Sequence, residues 1–384
     1  MKESIPEKEN NMRKMSDAGK ANTKTDIEMA EDEGENKLDE LLNLEVETSH
    51  KELKKIERGI SKRIYRKTGG FVLVIAALLV LLVFLVSQLT YLSQFNPKTS
   101  VNFTLDNRKN DMDEFGLLMQ TFVGMFMPDN YMYVDGGVKK TGFGNYEISA
   151  AFGSREDGYR GKNNGNIVIK WEKMYMESAG ESPFMIFSYP APFTSGEKPG
   201  ELLAEVEELP DSSYLTVSLM FKEEKNIEQM YDFMKNYGGS YRYTYLTTYS
   251  AEGAIPIGLD MERVSGYDVD GEFSEKYPDF YSEPRTDQPL DKEAVANCYH
   301  SRIRLLMDNP EFFRLACTVY EDLGTWMKET LDRCMQQELA KGTDEITFIA
   351  CRGRIKKKDL LRLIESDEVS LIKVHKVSLS DFPE

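Results

Sequence analysis

The chain has 384 residues, a formal net charge of −17 and 41% apolar residues. That is enough chain for two or three domains, and a negative charge this large argues against binding nucleic acid or anionic wall polymers by bulk electrostatics. Four cysteines and three scattered histidines, His50, His300 and His375, leave no metal-ligand spacing and call for no cofactor.

Residues 1–50 carry 7 basic and 14 acidic side chains. Residues 1–35 are polar and lack aromatics, which predicts a disordered tail. Leu38, Leu41, Leu42 and Leu44 then cluster in "NKLDELLNLEVE", which reads as a short acidic amphipathic helix and a candidate partner-binding segment. Residues 51–70 reverse the charge. Leu53, Ile56, Ile60 and Ile64 recur at helical spacing among Lys54, Lys55, Arg58, Lys62, Arg63, Arg66 and Lys67. This basic belt suits anionic lipid headgroups.

From Phe71 to Val86 no polar residue occurs, and the pattern runs on to Leu92. As a helix, 71–92 spans roughly 33 Å, against about 30 Å for a bilayer core. It is too long, and starts too late, for a cleaved signal peptide. Residues 51–68 hold eight Lys or Arg against two Glu, whereas only Lys98, Arg108 and Lys109 follow the span closely. The positive-inside rule places the N-terminus in the cytoplasm and residues 93–384 outside the cell membrane.

Residues 93–200 read as a membrane-proximal α+β region. A helix is expected over 111–127, with Phe115, Leu118, Met119, Phe122, Met125 and Phe126 on one face, and Pro128 stops it. "YMYVDGGV", "NYEISAAF" and "NIVIKW" read as strands, and 178–200 as a loop. Residues 201–384 read as an α+β domain with two strand–helix–strand units, 212–250 and 344–377, in the element order of a ferredoxin-like split sheet. Asn226 is the expected N-cap and Gly238 the stop of the first unit's helix. A helical insert, 291–342, lies between the units. Its second helix is expected to start at Asn309-Pro310, with Asn309 as cap, and to run toward Gly342 with a bend at Gly324.

All four cysteines, Cys298, Cys317, Cys334 and Cys351, follow the span and are candidate disulfide partners in an oxidising compartment; the alternative is four buried small apolar side chains. If Cys317 and Cys334 share one helix they lie roughly 25 Å apart and cannot pair, leaving two connectivities.

Catalytic signatures fail. Cys298 and His300, two apart on a helix, diverge. "SGEK" (Ser195–Lys198) and "KTG" (Lys140–Gly142) fit penicillin-interacting serine enzymes only in reversed order. "DVDGE" (Asp268–Glu272) lacks calcium-loop spacing. "NFT" (Asn102–Thr104) is a glycosylation sequon. No nucleophile, base and orienter converge, so no enzyme is read.

Several segments resemble the bacterial sigma factor regulator (anti-sigma factor) family, which pairs an N-terminal membrane-anchor module with a C-terminal extracytoplasmic module. "KKIERGISKRIYRKTGGFVLVIAALL" and "PDNYMYVDGGVKKTGFGNYEISAAF" are similar to the anchor module and the strand pair after it. "LPDSSYLTVSLMFKEEKNIEQM", "YRYTYLTTYS", "AIPIGLD" and "GTDEITFIACRGRIKKKDLLRLIE" are similar to the second module's strands, turn and last helix. The resemblance covers Lys51–Trp171 and Leu209–Val377, about three quarters of the chain. It departs at the acidic tail, the helical insert and the insert's cysteines. It implies a membrane-bound regulator that sequesters a sigma factor through its cytoplasmic segment and answers an envelope signal, through an envelope protease or signal protein. The other reading is a membrane-anchored extracytoplasmic binding or scaffold protein with no sigma partner.

Overall fold

A computed structural model describes residues 34–106, 109, 111–126, 130–154, 163–178, 196–246, 249–250, 253–254, 257–260, 269–282, 288–318 and 324–379. The stretch expected to be disordered before Gly34, Ser195 and Asp268 lie outside these residues. The chain divides into two compact units, residues 1–80 and 81–384.

Helix α1 runs from Gly34 to Ser93 without a break. The sequence reading expects an acidic helix followed by a separate basic one. The backbone makes a single helix because no Gly or Pro occurs between Lys37 and Arg58 to interrupt it. Its Glu52–Tyr91 portion is long and apolar enough to cross a membrane.

The second unit is mixed α and β. Strands β1 (Asn130–Gly142), β2 (Asn145–Ser154), β3 (Asn163–Lys170) and β4 (Lys173–Ser178) form an antiparallel meander in that order. Strand β4 escaped the sequence reading. It follows Trp171-Glu172, a turn with both residues at positive φ, which ordinary turn composition does not announce.

Before the meander, α2 (Asp113–Phe126) has every residue buried. The sequence suggests one apolar face; the structure also buries Leu117, Gln120, Thr121 and Val123. The reason is position: α2 packs against β1, against the second sheet and against two later helices at once. The regions 93–200 and 201–384 therefore share one core.

The second sheet has the order β11-β5-β10-β6-β9, every pair antiparallel. Its strands are β5 (Tyr214–Asn226), β6 (Ser240–Leu246), β9 (Gly258–Asp260), β10 (Thr347–Lys356) and β11 (Val369–Ser378). A small ribbon, β7 (Tyr249–Ser250) with β8 (Gly253–Ala254), branches off between β6 and β9. Helix α3 (Pro199–Glu208) starts in the last two residues of the stretch read as loop; Pro199 stands at its first turn. Helix α4 (Ile227–Tyr237) is capped reciprocally by Asn226 and Gln229, each backbone amide donating to the other side chain at 2.9 Å. Gly238 ends it at φ 53°. Phe233 of α4 packs on Phe221 and Tyr241 of the sheet, at 5.0 and 5.4 Å between ring centres.

Between β9 and β10 lie α5 (Gly271–Lys276), α6 (Lys292–Met307), α7 (Pro310–Cys317) and α8 (Gly324–Leu339); α9 (Lys357–Glu365) joins β10 to β11. Cys317 ends α7 and Cys334 lies within α8. The premise that the two share one helix is thus corrected, and helical rise no longer forbids their pairing. Asn309 holds the expected N-cap position with Pro310 at the first turn, but its side chain makes no cap bond. Its Oδ1 accepts from the Asn102 amide at 2.7 Å and its Nδ2 donates to Leu305 O at 2.7 Å, so the side chain ties the 93–112 linker to α6.

Candidate functional site

Three places carry chemistry: the membrane helix and its end, a cavity beside α2, and a polar row on the second sheet.

Every side chain from Phe71 to Val86 is exposed, as are Lys54, Lys55, Arg58, Lys62, Arg63, Arg66 and Lys67. An exposed apolar run of this length is foreign to a water-soluble surface and suits a bilayer. Leu38, Leu41, Leu42 and Leu44 fall on the α1 backbone; their side chains lie outside the described set.

The end of α1 is built into the first sheet. Ser87 Oγ accepts from the Phe143 amide at 2.9 Å. Tyr91 Oη accepts from the Gly142 amide at 2.7 Å and donates to Asn145 O at 3.4 Å. The Tyr91 ring meets Tyr146 edge-on at 5.4 Å, and Lys140 Nζ lies 4.6 Å from its centre. Gly144, at φ 74°, lets the turn approach: a Cβ there would lie 2.2 Å from Gln94 Oε1 and 3.0 Å from Thr90 O. Phe95, just past the helix, packs on Phe115 of α2 at 6.3 Å and Phe312 of α7 at 6.5 Å.

The cavity lies on the same helix α2. Leu117, Gln120, Thr121, Gly124, Phe280, Tyr281 and Arg302 line a small cavity of about 20 Å³, room for about one water molecule. Gln120 is 5% exposed, and neither Nε2 nor Oε1 of its side chain has a hydrogen-bond partner. Arg302, equally buried, donates from Nε to Phe280 O at 3.3 Å. The space is far smaller than a ligand pocket, so the amide and the guanidinium that border it do not make a small-molecule site. Neither residue stands out in the chain, because the two are 182 positions apart and border one space only through the packing of α2 on α6.

On the second sheet the register aligns Lys373, Ser218 and Arg352 across β11, β5 and β10. The register slips between Val374 and Lys376, and His375 Nε2 stands 2.8 Å from Ser218 Oγ. Burial, with the charges of Arg352 and Lys373, pushes His375 down to about 4, and burial pushes Arg352 down to about 10. The imidazole is neutral at pH 7. Ser218 is fully buried, so this hydroxyl–imidazole pair offers no path for a substrate.

All four cysteines are buried thiols. Cys298 Sγ donates to Phe280 O at 3.1 Å, while His300 Nε2 lies 3.2 Å from Glu338 O, so the two point to different partners. Burial pushes the Cys317 thiol up to about 12 and raises Cys351 further. Among the described residues no three His, Cys, Asp or Glu side chains gather as a metal site. Comparison of the chain with protein-family models, with characterised proteins and with solved structures finds no match.

Proposed function

We propose that the chain is a single-pass membrane regulator whose cytoplasmic segment sequesters a sigma factor and whose outer region answers an envelope signal. The observation that carries this reading is the built-in end of α1. Ser87, Tyr91 and Phe95 tie a helix long enough to cross a membrane to a folded region, and the acidic segment with Leu38, Leu41 and Leu42 belongs to that same helix. A change in the folded region then reaches the helix through hydrogen bonds and ring contacts rather than through a slack linker.

The flanking charges favour an N-terminus in the cytoplasm. Strands β5, β6, β10 and β11 with α4 and α9 support a ferredoxin-like reading of the C-terminal region, since the order β11-β5-β10-β6 interleaves two strand–helix–strand units. Sigma factors bind nucleic acid through basic surface, which an acidic helix complements.

The test is a pulldown with residues 1–68 as bait, paired with deletion of 36–50 in cells. Recovery of a sigma factor, and a rise in its transcription on deletion, is the expected result. No recovery and unchanged transcription would leave the membrane-anchored scaffold as the better reading. Orientation is read separately in intact cells. A membrane-impermeant maleimide should label Lys98→Cys and spare Ser49→Cys, with little background from four buried thiols.

A further inference from the structure

The two hairpin turns at the α1 end of the first sheet present large aromatic side chains to solvent. Phe143, between β1 and β2, is 37% exposed, and Trp171, between β3 and β4, is 67% exposed. Outside α1, the only other described large apolar side chains this exposed are Val377 and Leu379, at the end of β11. Phe143 and Trp171 both sit at φ 51°, where a bulky residue is disfavoured and Gly or Asn is the ordinary choice. Turn chemistry alone therefore does not account for an aromatic at each tip.

The two tips are neighbours. The Trp171 amide donates to Asn145 Oδ1 at 3.3 Å, and Asn145 opens β2 directly after the Phe143-Gly144 turn. They also sit where the apolar run ends. The Phe143 amide donates to Ser87 Oγ, and Ser87 follows Leu81–Val86, all exposed and apolar. Lys170 and Lys173 flank the second turn and are exposed, while Glu172 at its tip pairs with Arg314 at 3.2 Å, Lys139 pairs with Glu147 at 3.4 Å and Lys140 lies over the Tyr91 ring. Exposed aromatic side chains beside lysines, at the level where a membrane-length helix turns polar, have the composition of an interfacial belt.

We propose that Phe143 and Trp171 dip into the headgroup region of the bilayer that α1 crosses, with Lys170 and Lys173 facing lipid phosphates. The occupant is the lipid surface because the Phe143 turn is hydrogen-bonded to Ser87, at the end of the exposed apolar run. The contact sets the depth and tilt at which the first sheet meets the membrane. It rests on α1 spanning a bilayer and not on the sigma partner.

The chain has two tryptophans, Trp171 and Trp326. The full chain carrying Trp326→Phe, in vesicles of phosphatidylcholine and phosphatidylglycerol, reports Trp171 alone. Lipids brominated high on the acyl chain should remove most of its emission, and aqueous iodide little. Strong iodide quenching with no effect of brominated lipid overturns the proposal. A carbonate wash and vesicle flotation establish that α1 is inserted in either case, so a failed span is told apart from a failed contact. Should Trp326→Phe not fold, subtracting the emission of Trp171→Phe from that of the unsubstituted chain gives the same reading. Phe143→Trp in the Trp171→Phe, Trp326→Phe background reads the other tip. Lys170→Glu with Lys173→Glu should shift quenching from brominated lipid toward iodide; unchanged quenching would remove the lysines from the contact.

Discussion

His375 faces Ser218, Arg352 and Lys373 in a partly buried site, and its neutral form is the one the fold accommodates. An unfolded histidine takes up its proton near pH 6.5. Because the folded value is depressed to about 4, the stability that neutral His375 contributes is whole above pH 6.5. It is lost progressively as pH falls from there toward 4. Urea unfolding midpoints at pH 7 and pH 5 should therefore differ less in His375→Gln, which can still hydrogen-bond Ser218, than in the parent; an equal drop in both would sink the assignment. Gln120 makes the opposite case. Its amide is buried without a partner, so Gln120→Met should raise stability by about 1 kcal/mol in thermal unfolding. A loss of stability would mean that the amide is hydrogen-bonded in solution. Neither residue stands out in the sequence, since burial and neighbours give both their character.

At the scale of elements, the joint between α1 and the first sheet depends on one residue without a side chain. Gly144→Ala meets both a positive φ and the Thr90 carbonyl 3.0 Å away. It should cost about 1–3 kcal/mol, and Gln94→Ala should recover only part of the loss, because the backbone contact remains. Thermal unfolding of the two single variants and the double gives the coupling. Phe115 is the link between α2 and the helix exit, fully buried against Phe95 and Phe312. Phe115→Ala should cost about 3–5 kcal/mol by denaturant unfolding; a cost below about 1 kcal/mol would mean the ring is not a packing anchor. Local signals made several elements readable. Asn226 with Gln229 and Gly238 mark α4 because capping is a short-range hydrogen-bond problem. Helix α3 and strand β4 were not readable. Pro199-Gly200 resembles loop composition, and the turn before β4 holds Trp171-Glu172 at positive φ.

Across the molecule, charge and hydropathy are partitioned by position. Residues 51–68 hold eight basic side chains against two acidic, directly before an apolar run. Replacing Lys62, Arg63, Arg66 and Lys67 with Gln should therefore scramble the maleimide labelling of Ser49→Cys and Lys98→Cys, because the retention signal is local. Unchanged labelling would place the topogenic signal elsewhere.

The sequence by itself determined the membrane-length helix, the basic belt beside it and the existence of an α+β region after it. Those properties depend on composition and on periodicities within a few turns of chain, which no distant residue can overrule. Only the tertiary structure decided that α2 is buried on all sides, that Cys317 and Cys334 belong to different helices, that Gln120 and Arg302 border one cavity and that Ser218 meets His375. Each of these needs residues tens to hundreds of positions apart, and their partners are chosen by packing and strand register. The same holds at the joint: Ser87 and Tyr91 read as the polar fringe of a span, and become its attachment only where β1 and β2 turn back to meet them.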